Sequence, residues 1–372
     1  MSTPIVYQLG HKPIKDHVFS SDRSLLAITK DNTVEIYRIG TAKPQLVTTL
    51  KGHDKTVTSV DISPDNSKIL TCSQDRNALV WEYSQAEGEY KPTLVLLRIN
   101  KAATCCRWSP NGDKFAVGSN DRIVAICYYE EENDWWVSKH LRLRSTVTSL
   151  DWHPNNVLLA VGSTDGHARV FSTFIKGLDA KPAPSVWGSR LPFQTLCGDF
   201  TNETGAWVHA VSFNPNGDSL AYVSHDSSLV LVYPEGEGLP PKNIVSLKTN
   251  YLPFKSVLFL GENSLVASGH NCNLIVFQGD ESGWKQTKEL EQQKDLIHDL
   301  PPKTDEDEEI SSHDALNMFR QLDLKGKVNK ASDKSGKALS TIHQNTVTAI
   351  KYFTKGKVST SGIDGKVVIF NV

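Results

Sequence analysis

A punctuation mark recurs along this chain and restricts its fold more than any other feature. An acidic or amide residue stands at Asp31, Asp75, Asp121, Asp165, Asp226, Asn271 and Asp364, and six positions after each a short β-type run ends, at Tyr37, Trp81, Cys127, Phe171, Val232, Phe277 and Phe370. In the second to fifth units a proline lies eleven residues ahead of the aspartate, at Pro64, Pro110, Pro154 and Pro215. The second unit shows the grammar. Its runs at 57–62, 68–72 and 78–81 are rich in β-branched and aromatic residues, and Ser63-Pro64-Asp65-Asn66 and Gln74-Asp75-Arg76-Asn77 between them are turn formers. Each unit therefore reads as an antiparallel meander. Successive markers lie 44, 46, 44, 61, 45 and 93 residues apart. A period of about 40–45 residues with four strands per unit is the signature of a β-propeller, in which each sheet buries its faces against its neighbours around a channel.

Seven units predict an all-β, seven-bladed propeller over residues 1–278 and 341–372. The last unit ends after its third strand, whereas residues 4–9 form a strand-like run ahead of the first meander. We expect residues 4–9 to complete the last blade, because an open sheet edge invites aggregation.

Two intervals depart from the period. The 61-residue interval carries its excess in 176–206, rich in Pro and Gly, which reads as a long connection on one rim, a kind of segment that often carries function. The 93-residue interval holds an insert, taken as residues 279–340. From Asp280 to Asp314 there are twelve acidic residues against four lysines, and from Arg320 to Lys337 six basic residues against two acidic. Between these charged flanks, Ser311 and Asp314 have capping-box spacing, and Ala315, Met318, Phe319 and Leu322 fall on one face of a helix predicted at about 312–323. So short a helix is marginal in water alone, so its apolar face must be covered, either by the propeller or by a groove on another protein.

Composition excludes several function classes. Lys and Arg number 40 against 42 Asp and Glu, so there is no global positive charge for a nucleic-acid backbone or an anionic membrane. The longest apolar run, 123–129, is far below the ~20 residues a membrane-spanning helix needs. The start of the sequence has no basic, then apolar, secretory pattern, which points to the cytoplasm and to Cys72, Cys105, Cys106, Cys127, Cys197 and Cys272 as core thiols. No phosphate-loop, dinucleotide, zinc-protease or nucleophile-elbow motif is present. The histidines are dispersed and read as structural hydrogen-bond partners. We therefore expect no catalytic residue, metal or cofactor, although loops from several blades could still build a site at the channel. The densest cationic cluster runs from Lys139 to Arg144. Strand alternation puts His140, Arg142 and Arg144 on one face, either as an ordinary solvated outer strand or as one side of a protein interface.

The repeats resemble WD-repeat propellers, although degenerately: one Gly52-His53 pair stands before the second blade, and Trp81 is the one tryptophan at a terminal WD-type position. More narrowly, Gln8-Leu9-Gly10-His11-Lys12-Pro13-Ile14, Val57-Thr58-Ser59-Val60-Asp61, Thr148-Ser149-Leu150-Asp151-Trp152-His153-Pro154, Gly188-Ser189-Arg190-Leu191-Pro192-Phe193 and the insert's Phe319-Arg320-Gln321-Leu322-Asp323 are similar to the family of WD-repeat subunits of the actin-related protein 2/3 complex. That resemblance implies a non-catalytic structural subunit of a seven-subunit assembly that nucleates branched actin filaments. The implied partners are the actin-related proteins and small subunits of that complex, nucleation-promoting factors and the actin filament. The filament would be met through Leu316, Met318, Phe319 and Leu322. The resemblance implies no homo-oligomer and a place in the actin cytoskeleton. The alternative is a WD-repeat adaptor of another assembly, such as ubiquitin-ligase substrate recognition or trafficking.

Overall fold

The computed structural model describes residues 3–40, 43–201, 204–291 and 339–372. In the unit Met1–Leu290 plus Ile342–Val372, seven four-stranded antiparallel sheets form a β-propeller. Blade strands are lettered a to d from the centre outwards. Blade 1 is His17–Phe19, Leu25–Lys30, Thr33–Arg38 and Gln45–Lys51; blade 2 is Val57–Ile62, Lys68–Ser73, Ala78–Ser84 and Glu89–Val95; blade 3 is Ala103–Trp108, Lys114–Ser119, Ile123–Glu130 and Trp135–Arg142. Blade 4 is Val147–Trp152, Leu158–Ser163, His167–Ser172 and Leu196–Thr201, and blade 5 is Val208–Phe213, Leu220–Ser224, Ser228–Tyr233 and Asn243–Lys248. Blade 6 is Phe254–Gly261, Ser264–Gly269, Leu274–Asp280 and Gly283–Glu289. Blade 7 takes strands a to c from Val347–Thr354, Lys357–Gly362 and Lys366–Asn371. Its strand d is Ile5–Gln8, paired from Ile5 opposite Ile369 to Gln8 opposite Lys366.

Burial follows strand order. Strands b are enclosed by sheets on both faces and read as continuous apolar or small-residue runs, such as Leu158–Ser163, whereas strands d face solvent and alternate, such as Asn243–Lys248. The apolar clusters lie between blades: Val80, Cys106, Trp108 and Phe115 join blades 2 and 3, and Val170, Phe213 and Tyr222 join blades 4 and 5. Each fully buried Val, Leu or Phe contributes roughly 1.5–3 kcal/mol, so neighbouring blades stabilise one another. The recurring aspartates sit in the turns between strands b and c. In blade 2, Asp75 lies 2.8 Å from His53 Nδ1, His53 Nε2 lies 2.8 Å from Thr71 Oγ1, and Trp81 Nε1–H donates to the same hydroxyl at 2.9 Å. Blade 7 repeats this with His343, Asp364, Thr360 and Phe370.

The expected insert boundary at residue 279 is corrected. Gly279 lies inside strand c of blade 6, and Gly283–Glu289 is that blade's strand d. An outer strand is half solvated, so Lys285, Lys288 and Glu289, which read as the opening of a charged linker, are the polar residues of an edge strand. Trp284 is its buried anchor and donates its indole N–H to the Tyr233 hydroxyl at 2.7 Å. The second unit is Glu291–Thr341, and the helix expected at 312–323, with Leu316, Met318, Phe319 and Leu322, lies outside the described residues.

Candidate interaction surfaces

The excess residues of the 61-residue interval form the connection between strands c and d of blade 4, which is fastened at three points. Asp179 brings its carboxylate to 2.5 Å from Lys114 Nζ, with both side chains almost wholly out of solvent, and it also accepts the Ile175 N–H at 2.7 Å and an Asn156 amide N–H at 3.1 Å. Burial pulls the Lys114 ammonium below the ordinary lysine range, and Asp179 opposes that pull. Trp187 is fully buried, and its indole N–H donates to the Gly217 carbonyl at 2.6 Å. That carbonyl also lies 2.9 Å from His153 Nε2, and Gly217, at φ 80°, has no room for a Cβ, which would sit 2.0 Å from the same ring nitrogen. The Ser172 hydroxyl donates to the Leu191 carbonyl at 2.7 Å.

So pinned, the connection presents a groove of about 470 Å³ at the junction of blades 3 and 4. Phe174, Pro182, Leu191, Pro192 and Phe193 make its apolar wall, and the exposed Lys139, Lys176, Lys181 and Arg190 surround it with no carboxylate in the lining. Lys139 ties strand d of blade 3 to this wall, with its ammonium 5.6 Å from the Phe193 ring centre and 5.8 Å from that of Tyr128, a cation–π geometry. Such a groove suits an acidic segment that also carries an apolar or aromatic anchor, because the cations attract it and the wall gives it depth.

The cationic cluster chosen from the sequence borders this groove, but its members are not equivalent. His140 is half-buried, and its Nε2 lies 2.8 Å from the Leu97 carbonyl, which makes it a stitch between blades 2 and 3. Arg142 closes strand d of blade 3, and Arg144 lies past its end; both are exposed. Sequence reasoning missed Lys176, Lys181 and Phe174 as members of one surface. The available signal was the Pro-rich surplus of the interval, which located the loop without showing which side chains it turns outward.

A second cluster is internal. Asp16, ahead of blade 1, accepts from Arg107 Nη1 of blade 3 at 3.0 Å and from the Ser59 hydroxyl of blade 2 at 2.5 Å, and lies 3.7 Å from Lys351 Nζ of blade 7. Despite burial, Lys351, Arg107 and the Ser59 bond hold its carboxyl far below the usual carboxylate range. Asp61 and Asp151 each accept a backbone N–H of the next blade, from Trp108 at 2.8 Å and Phe213 at 2.7 Å, and burial pushes Asp151 up to about 6. These groups fasten the inner strands together around the channel. Among the described residues no three His, Cys, Asp or Glu converge as a metal site would require.

Comparison with known proteins agrees with this architecture. The family described as WD domain, G-beta repeat matches residues 44–82, from strand d of blade 1 through strand c of blade 2, and the anaphase-promoting complex subunit 4 WD40 domain matches 106–176. Three relatives are similar along almost their whole length. Actin-related protein 2/3 complex subunit 1 of Schizosaccharomyces pombe is 45% identical, covering 100% of both chains; its namesake in Saccharomyces cerevisiae is 42% identical, over 100% of this chain and 98% of its own. Actin-related protein 2/3 complex subunit 1A-B of Xenopus laevis is 41% identical, over 98% and 96%. Likeness on this scale, across blades and connections alike, means that the chain belongs to the WD-repeat family of actin-related protein 2/3 complex subunit 1.

Proposed function

We propose that this chain is a non-catalytic structural subunit of an actin-related protein 2/3 complex, supporting nucleation of branched actin filaments in the cytoplasm and the cortical actin cytoskeleton. The observation that carries this reading is identity of 41–45% over nearly the full length of chains bearing that complex's name. The propeller acts as a rigid platform for the actin-related proteins and small subunits. Its basic, apolar-walled groove between blades 3 and 4, together with the exposed Arg142 and Arg144 at and just past the end of the strand that carries Lys139, has the chemistry to receive acidic segments of nucleation-promoting factors. The segment holding Leu316, Met318, Phe319 and Leu322 contacts the mother filament through an apolar helical face. No cofactor, nucleic acid, membrane insertion or self-association enters this reading.

The test is Phe319→Asp in a reconstituted seven-subunit complex. Branch formation is expected to fall several-fold while the thermal unfolding of the propeller stays unchanged. An unchanged branching rate overturns the filament contact. Purification of the tagged chain without actin-related proteins overturns subunit membership and favours an adaptor of another assembly.

A further inference from the structure

The inner strands of six blades carry a β-bulge at the same place. Register skips between Val57 and Ser59, Ala103 and Cys105, Val147 and Ser149, Val208 and Ala210, Phe254 and Ser256, and Val347 and Ala349. A bulge re-aims one side chain, and all six skipped residues line the mouth of the central channel. Four of them are threonine: Thr58, Thr104, Thr148 and Thr348. Three of these bridge to the following blade, Thr58 donating to the Ala103 carbonyl at 3.1 Å, Thr148 to Val208 at 2.6 Å and Thr348 to Ile14 at 2.8 Å. The other two, in adjacent blades 5 and 6, are His209 and Lys255. They abandon the bridge. His209 Nε2 turns to His225 Nδ1 at 2.9 Å, and the Lys255 ammonium has no hydrogen bond or ion pair among the described residues.

The surroundings of this pair are positive. Besides burial, the groups acting on His209 are Lys255, His225 and His270, all of which disfavour its proton, and no carboxylate is among those acting on His209, Lys255 or His270. Lys15 lines the same mouth from blade 1, and the exposed Trp207 lies against His225, ring centres 5.9 Å apart. Asp16 lines the same cavity, but its carboxylate is already paired with Arg107 and Lys351. Lys255 is a partly buried ammonium with no carboxylate beside it among the described residues, and His209, which burial and Lys255 keep neutral, offers ring nitrogens rather than charge, so the positive potential comes from the lysine and a low-dielectric wall strengthens it. The cavity, about 130 Å³, is small and seven-walled.

We propose that the channel mouth on the side of blades 5 and 6 is a phosphate-class anion site, in which Lys255 and His209 with His225 and His270 hold one phosphate group. The rest of the ligand remains outside, beside Trp207. The same chemistry is offered by a soluble inositol polyphosphate and by a phosphoinositide headgroup.

The replacement that tests this is supplied by the other blades. The double variant His209→Thr, Lys255→Thr puts at these positions the residue that bridges blades elsewhere, so its thermal stability is expected to match or exceed that of the parent chain. Titration of the full chain with inositol hexakisphosphate by calorimetry is expected to give saturable one-site binding that weakens at least tenfold in the double variant and with rising salt. Flotation with vesicles containing phosphatidylinositol 4,5-bisphosphate separates the sources: capture that the soluble ligand competes away assigns a headgroup, and soluble binding without capture assigns a free polyphosphate. Absence of saturable phosphate binding, or equal affinity in the double variant, overturns the site. Binding of an acidic carboxylate peptide there without phosphate binding overturns it as well.

Discussion

Blades 2 and 5 are built on the same numbering and make opposite use of it. Counted from the turn aspartate, the positions of His53, Thr71 and Trp81 in blade 2 are occupied in blade 5 by Thr204, Tyr222 and Val232. In blade 2 the polar groups close on one another: histidine, aspartate, threonine and indole form one satisfied chain, and bulge residue Thr58 bridges to blade 3. In blade 5, Asp226 accepts from the Thr204 hydroxyl at 2.7 Å, and bulge residue His209 faces another histidine and an unmatched lysine. Both sheets have the same strands. Buried polarity that is mutually satisfied holds blades together, whereas polarity left open to a channel has no structural use and marks a place to look for a ligand.

The contrast can be broken at its strongest closed contact. Asp179→Leu leaves the buried Lys114 ammonium with only the Thr173 carbonyl, 3.5 Å away, in place of its carboxylate, and removing one member of a buried pair costs about 3–5 kcal/mol. Urea unfolding should show that loss, and a change below 1 kcal/mol, on the order of a surface ion pair, would mean that the loop is not fastened there.

Acid should act next. Burial is the largest influence on His17, His53 and His153 and lowers all three, His17 to about 3. These histidines are neutral in the folded chain, while the unfolded chain binds protons below its ordinary histidine pKa of ~6.5. Stability is therefore fully present above that value and falls as pH drops through it, by about 1.4 kcal/mol per group for each unit while the folded form stays neutral. Burial raises Asp61, and raises Asp151 to about 6, so these two carboxyls oppose the trend, but they are outnumbered. The melting temperature should fall by several degrees between pH 7.5 and 5.5, and a flat profile would contradict the buried neutral histidines.

A smaller effect compares the two blades directly. His53→Ala should cost about 1–3 kcal/mol, because it takes one partner each from the buried Asp75 carboxylate and Thr71 hydroxyl. His209→Thr, alone in blade 5, should change stability by no more than about 0.5 kcal/mol, the scale of a substitution outside any closed network. Equal losses in equilibrium unfolding would erase the distinction between the blades.

Much of the fold was legible because turns require particular residues. Asp75 and Asp364 recur at the spacing of a blade, so seven blades could be counted without coordinates. The end of blade 6 was not legible in the same way. A solvated outer strand such as Gly283–Glu289 and a charged linker share a composition, and only the burial of Trp284 separates them. The cationic cluster was visible as charge, but alternation could not show that His140 is used by the Leu97 carbonyl. The groove wall and the channel mouth combine residues from several blades, and no local pattern announces them. The channel pair becomes visible only when inner strands are aligned on their bulges, where His209 and Lys255 stand among threonines.

Blade 7 also sets a temporal order on the molecule. Its outer strand, Ile5–Gln8, leaves the ribosome more than 350 residues ahead of its partner, Lys366–Asn371. The early strand must wait while the strands of the intervening blades are made, and the late sheet emerges with its edge uncovered until the two segments meet. Closing so long a loop costs entropy only logarithmically in its length, so the delay is kinetic rather than thermodynamic. During that interval the nascent chain is an incomplete ring with two exposed faces, at blade 1 and at the growing end, the stage at which chaperones and assembly partners have most to shield.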